Sequence, residues 1–272
     1  MTSTAVRRSR SNQLAARQHM YSTLEVSAEG AIGRIWLNRP KSLNALSIEL
    51  LTELTEAARY FDSQSQIRTV IIAGRGRAFC AGADLQGFPQ LDDAGLRAAA
   101  DAGRVMADAL EAMQAVTIAQ IHGWCVGGGL VLAAACDLRL AADDARFSIP
   151  EVDLGIPLAW GGIPRLVREI GPALTKELVL TCRTFDADEA RSAGFLNRSL
   201  GAEGLAEAVQ ALAEQIATKP AQPVLATKRH TNAVTANMIG LDRSWSDADS
   251  LIAGLLDPEC TQAREAYIKS RL

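Results

Sequence analysis

The apolar positions change period along the chain, and each change marks an element. Residues 23–26 and 32–37 are short runs with strand character on either side of Glu29-Gly30, which predicts a hairpin. Beyond Ser47, an N-cap candidate, Ile48, Leu50, Leu51, Leu54 and Ala58 fall at helical spacing, so a helix is expected to about Phe61. Residues 69–73 form a short apolar strand that ends in Gly74-Arg75-Gly76. A helix over 94–113, a buried strand over 116–121, a helix over 127–135 and a strand over 138–142 follow. This alternation predicts βαβ units: an α/β fold with a largely parallel sheet and helices outside, with right-handed crossovers making a spiral or open sheet.

From about Gly161 the pattern becomes mostly helical, punctuated by Gly171-Pro172, Gly194, Gly201, Pro220 and Pro223. The chain therefore divides into an extension over 1–21, an α/β core over 22–200 and a helical C-terminal subdomain over 201–272. The first 22 residues lack acids and carry Arg7, Arg8, Arg10 and Arg17. They read as a disordered extension in a cytoplasmic protein; a transit peptide, and with it the mitochondrial matrix, is the alternative.

Composition narrows the function classes. At 272 residues and 48% hydrophobic, the chain can bury one substantial core. Its 28 basic and 31 acidic side chains leave a net charge of -3, which carries no electrostatic signature for nucleic acid or an anionic membrane. No apolar run reaches the roughly 18 residues of a membrane span. Five cysteines without C-x-x-C spacing argue against a disulfide framework or a zinc site, so buried reduced thiols and a reducing compartment are expected. Three scattered histidines make neither a metal cluster nor an obvious triad, and there is no G-x-S-x-G.

Two small-residue segments carry the candidate chemistry. One is Phe79-Cys80-Ala81-Gly82-Ala83-Asp84-Leu85; the other runs from His122 through Gly127-Gly128-Gly129 to Leu130. Small side chains let a ligand approach the backbone, and free N–H groups at a helix start point outward with partial positive charge. Two such groups converging on one point make an oxyanion hole. Neither segment is a P-loop or a G-x-G-x-x-G dinucleotide motif. Either alone reads equally as a tight turn with close helix packing.

Taken together, Ala81 to Leu85, Gly123 to Gly129 with Asp137, and Pro150-Glu151-Val152-Asp153-Leu154-Gly155-Ile156-Pro157 stand in an order that resembles the enoyl-CoA hydratase/isomerase (crotonase) superfamily. The segment Leu37-Asn38-Arg39-Pro40-Lys41-Ser42-Leu43-Asn44-Ala45-Leu46 is similar to that family's first strand-to-helix connection. The likeness spans roughly residues 22–271. It implies a ββα spiral with a helical C-terminal subdomain, an acyl-CoA substrate, and a homotrimer or dimer of trimers. It implies no separate cofactor, coenzyme A being part of the substrate. The backbone N–H groups of Ala83 and Gly128 would be the oxyanion donors. Lys41, Ala45 and Ala81 would line the coenzyme A channel. Tyr267, Lys269 and Arg271 would face the nucleotide, often that of a neighbouring subunit. A solvated helix end is the other reading of the two cations.

The pattern breaks at one position. The family's hydratases use two glutamates; Glu151 matches the second, whereas Val131 stands where the first belongs. Loss of a positioned acid or base costs about 10²–10⁴-fold. A double-bond shift needs only one carboxylate, which moves a proton from the α to the γ carbon. The expectation is therefore an enoyl-CoA isomerase with Glu151 as proton shuttle. The alternatives are a hydratase with a substitute acid and a non-catalytic acyl-CoA binder. Val131, Leu130, Ile156 and Trp160 should raise the Glu151 pKa by desolvation. Trp124 and Trp160 read as core or pocket walls, Asp84 as a helix cap, Asp137 as structural, and Asp153 as a loop acid, with a second carboxylate of the site as its lesser reading. The loop 86–93 and the C-terminal helices are expected to shape the acyl pocket.

Overall fold

The computed structural model describes residues 21–84, 93–239 and 246–271. The expectations for residues 1–20, the loop 86–92 and the Arg271 side chain lie outside them.

The first hairpin forms as the sequence predicts. β1 (Leu24–Glu29) pairs antiparallel with β2 (Ile32–Leu37) around Gly30. A 3-10 turn at Pro40–Ser42 leads to α1 (Ile48–Asp62), whose cap is Ser47: its hydroxyl accepts from the Leu50 N–H. β3 (Thr69–Gly74), β5 (Val116–Ile121), β7 (Leu138–Ala142) and β10 (Arg198–Leu200) complete a six-stranded sheet ordered β1-β2-β3-β5-β7-β10. All its pairs but the first are parallel.

Both faces of this sheet are buried, and strand alternation sorts the side chains. Val70, Ile72, Ala119, Ile121 and Ala141 enter the main core with Leu50, Leu54 and Phe61 of α1 and with Met106 and Leu110 of α2 (Asp93–Glu111). Ile71, Ile118 and Leu140 point the other way, onto Leu205, Val209 and Ala213 of α6 (Ala202–Ala217).

A second sheet was not legible in the apolar pattern. After a short break, each of three long strands continues into a three-residue strand: β3 into β4 (Ala78–Cys80), β5 into β6 (Trp124–Val126), and β7 into β8 (Arg146–Ser148). With β9 (Phe185–Asp186) they form a four-stranded sheet ordered β4-β6-β8-β9. β4, β6 and β8 are mutually parallel. The repeating unit is thus strand, strand, helix, with β4 preceding α2, β6 preceding α3 (Gly128–Ala134) and β8 preceding α4 (Gly162–Thr181). This is the ββα arrangement that the resemblance implies. Trp124 on β6 is 40% exposed rather than a core wall, because the outer face of this three-residue strand carries no layer over it.

α4 is broken at Gly171 (φ +77°) just before Pro172, where the sequence placed its punctuation. The remaining helices are α5 (Ala187–Ser192), α7 (Ala221–Ile239), α8 (Asp247–Leu256) and α9 (Pro258–Arg271). α7 buries one side chain, Lys228. Its Nζ donates to the Ala115 carbonyl at 2.9 Å and to Asp137 Oδ2 at 2.7 Å, while Asp137 also accepts from the Thr117 N–H and hydroxyl. The structural reading of Asp137 therefore holds: it ties β5 to α7.

Removing one partner of such a pair strands the other out of water. Lys228→Met should lower stability by about 3–5 kcal/mol, measured by urea unfolding. Amide exchange should rise first in α7.

Candidate functional site

Three segments leave the small sheet at one end because the strands before them run parallel. Ala81-Gly82-Ala83 follows β4, Gly127-Gly128-Gly129 follows β6, and Ile149-Pro150-Glu151 follows β8. The Gly127 N–H donates to the Ser148 carbonyl at 2.9 Å, which carries the pairing one step beyond the strands. The Leu43–Leu46 segment lies along the first exit. Ala81 N–H donates to the Leu43 carbonyl, Leu46 N–H to the Gly82 carbonyl, and Asp84 N–H to the Leu46 carbonyl, at 2.8–3.0 Å.

These bonds use the N–H groups of Ala81 and Asp84 and the Gly82 carbonyl, and leave the Ala83 N–H without an acceptor among the described residues. Gly128 is the first residue of α3, so its N–H has no intrahelical acceptor. Two glycines permit the close approach. Gly82 (φ +94°) backs onto β6: a Cβ there would lie 2.9 Å from the Val126 carbonyl oxygen and 3.6 Å from the Gly128 nitrogen. Gly127 (φ +49°) faces Glu151, and any Cβ there would overlap the carboxyl oxygen Oε1.

Ala83, Gly128, Val131, Glu151 and Trp160 line one cavity, closed by Ile156, Pro157, Leu158, Ala159 and Leu251. Its volume is about 20 Å³. Glu151 is its only titratable side chain among the described residues. The Glu151 carboxyl is buried, and Oε2 has no hydrogen-bond partner among the described residues. Burial pushes its pKa up to about 7, against a small opposing effect of its own backbone N–H. The expectation of a desolvated carboxyl is met, and the alternative of a capping or ion-paired loop acid is not. Val131 is 1% exposed and supplies only hydrocarbon to the cavity.

The other predicted residues fall into two groups. Ala45 and Ala81 sit on the segments hydrogen-bonded beside Ala83, and Lys41 is exposed in the 3-10 turn just before them. Tyr267 and Lys269 lie on α9 and do not reach the cavity of their own chain. One expectation is corrected. Asp84 is not a helix cap: α2 begins at Asp93, and Asp84 pairs with Arg39 at 2.9 Å. Asp153 is an exposed loop acid, as expected, although residues 151–155 form turns and strand alternation does not apply.

Leu158 and Leu251 were missed. Leu251 arrives from α8, about a hundred residues after Glu151, and no local pattern signals it. Three of the five thiols, Cys80, Cys125 and Cys136, are buried as the composition predicts, whereas Cys182 and Cys260 are partly exposed. Cys80 and Cys125 are register partners on β4 and β6, buried and free, and burial drives both pKa values upward, that of Cys80 to about 12. They are not thiolates near neutrality.

A parallel-strand scaffold that brings Ala83, Gly128 and one buried carboxyl to the lining of an apolar cavity has the parts that can manage charge on an acyl carbonyl. Comparison with known proteins gives the family. A family model described as enoyl-CoA hydratase/isomerase matches residues 27–244. The chain is 38% identical to a probable enoyl-CoA hydratase of Mycobacterium bovis over 215 residues, 78% of this chain and 82% of that one. It is 34% identical to a peroxisomal Delta(3,5)-Delta(2,4)-dienoyl-CoA isomerase of Arabidopsis thaliana, covering 76% and 81%. Among solved structures, an enoyl-CoA hydratase/isomerase from Mycobacterium paratuberculosis superposes with a TM-score of 0.83 at 28% identity, covering 90% of this chain and 98% of that one. The chain belongs to the enoyl-CoA hydratase/isomerase family, and it is an enzyme of the lyase/isomerase class.

The raised pKa has a stability consequence with a definite sign. Below about pH 4.5, Glu151 is protonated both folded and unfolded. Between there and about pH 7 the unfolded chain releases its proton first, so folding becomes less favourable as pH rises, by about 3 kcal/mol at most. In urea titrations Glu151→Gln should lack this loss. Its stability relative to wild type should climb from pH 4.5 to pH 7 and level off above.

Proposed function

We propose that the protein shifts the double bond of an enoyl-CoA thioester. The observation that supports this most is the single carboxyl of the cavity. Glu151, poised near neutrality, faces Ala83 and Gly128 with only Val131 where a second acid would stand. The thioester oxygen would accept from the Ala83 and Gly128 N–H groups. The Glu151 carboxylate would take a proton from the α carbon of a 3-enoyl-CoA and leave a dienolate held by those two donors. The same proton then returns at the γ carbon and gives the conjugated 2-enoyl-CoA. The carboxylate is regenerated, so no co-reactant is consumed.

Lys41, Ala45 and Ala81 would contact coenzyme A along the edge beside Ala83. Tyr267 and Lys269 on α9 would contact the nucleotide, that of a neighbouring subunit in a homotrimer or dimer of trimers. The second reading is hydration. The cavity has room for about one water beside Glu151, and relatives of both names match the chain.

Ultraviolet absorbance of the conjugated thioester separates the two. Absorbance should rise with 3-hexenoyl-CoA, and 2-hexenoyl-CoA should gain little water by mass spectrometry; efficient hydration would favour the second reading. Glu151→Gln should lower isomerisation by about 10²–10⁴-fold. Because the ionised form is the base, wild-type kcat/KM should rise with pH, reach half its limit near pH 7, and stay level above.

A further inference from the structure

Trp160 is held in a conformation that its sequence does not favour. Its φ is +62°, a left-handed value that is costly for a bulky side chain, and Gly161 follows at φ +69°. Two side chains bond this turn directly. Asp247 at the start of α8 accepts from the Gly161 N–H at 2.7 Å. Arg165 donates to the Trp160 and Gly161 carbonyls, both at 3.3 Å, and is itself fixed by Asp108 and Glu111 at 2.8 Å.

The indole lies in a seat made by two glycines from different helices. A Cβ on Gly103 of α2 would overlap the ring, and one on Gly128 of α3 would stand 2.5 Å from its Cζ3. The ring is 4% exposed, and its Nε1 has no hydrogen-bond partner among the described residues. Shape and backbone clamping hold it, not a polar contact of its own. The seat brings the indole against the same Gly128 that presents the candidate oxyanion donor. What remains between it, Glu151, Leu158 and Leu251 is the cavity of about 20 Å³, room for one water-sized group.

We infer that Trp160 is the specificity-determining residue of this site: its clamped indole ends the acyl pocket close to the reacting carbons and restricts the enzyme to short-chain acyl-CoA thioesters. The inference rests on the acyl-CoA reading above but not on which reaction Glu151 performs. Any acyl group is larger than the one water-sized space beside the indole, so the shorter the tail, the less of the lining it must displace. A ten-carbon tail needs the volume that the ring occupies, and the ring is packed against Gly103 and Gly128.

Calorimetric titration of the full-length protein with butyryl-CoA, octanoyl-CoA and decanoyl-CoA, with free coenzyme A as reference, tests this without turnover. Wild type should bind butyryl-CoA at least tenfold more tightly than decanoyl-CoA. Trp160→Gly empties the seat and suits the positive φ, so it should reverse the order by a similar factor. Trp160→Phe, which refills much of the space, should restore it. The same ranking should appear in kcat/KM for 3-enoyl-CoA substrates of these lengths. Equal wild-type affinity across the series would overturn the inference, and so would a Trp160→Gly protein that keeps the wild-type ranking. Should the glycine variant not fold, the wild-type series still decides. Chain-length discrimination in binding without isomerisation would leave this inference standing and remove the double-bond shift instead.

Discussion

The parallel pairing of three short strands is the constraint on which the site depends. β4, β6 and β8 contribute only three residues each, too few to persist in isolation, yet they set where three distant loops emerge. Their alignment is inherited from the large sheet, because each continues a strand whose side chains, such as Ile72 and Ile118, are buried among the helices on both sides. The Gly127 N–H to Ser148 carbonyl bond extends that register into the loops. A shift of one residue there would move Gly128 and Glu151 relative to each other by about 3.3 Å, more than the length of a hydrogen bond.

The electrostatics follow from that placement. A carboxyl squeezed against Gly127, with one oxygen unpartnered and hydrocarbon around it, is denied the solvation that keeps exposed glutamates acidic. The thiols under the same loops undergo the same desolvation, which moves them away from their reactive form. One environment thus moves the acid toward neutrality and keeps the cysteines protonated.

How much of this could be read from the residues depends on how far apart the partners lie in sequence. The long strands, the Ser47 cap, the kink at Gly171 and the Gly-rich exits were legible because each is decided within a few positions. The second sheet was not, since three-residue strands such as Ala78–Cys80 show no period to detect. Asp84 looked like a helix cap locally, but its partner Arg39 sits 45 positions earlier. Glu151 and its burial were legible from the apolar neighbours in its own motif. The closing of the cavity by Leu251 over Trp160, and the seating of Trp160 on Gly103, join segments about 91 and 57 residues apart with no complementary pattern to link them.

Arg165 bears on a property of the loop that residue contacts alone do not suggest. Its guanidinium is almost wholly out of water, and of its two acidic partners Glu111 is also largely withdrawn, with Asp108 half in solvent. Mobile ions screen charges that they can approach, over about 8 Å at physiological strength, and screen enclosed pairs much less. The surface bridges of this protein, such as Arg97 with Asp249, should therefore fade in brine while the turn at Trp160 keeps its shape. The geometry of the turn that walls the cavity is insulated from the ionic strength of its surroundings.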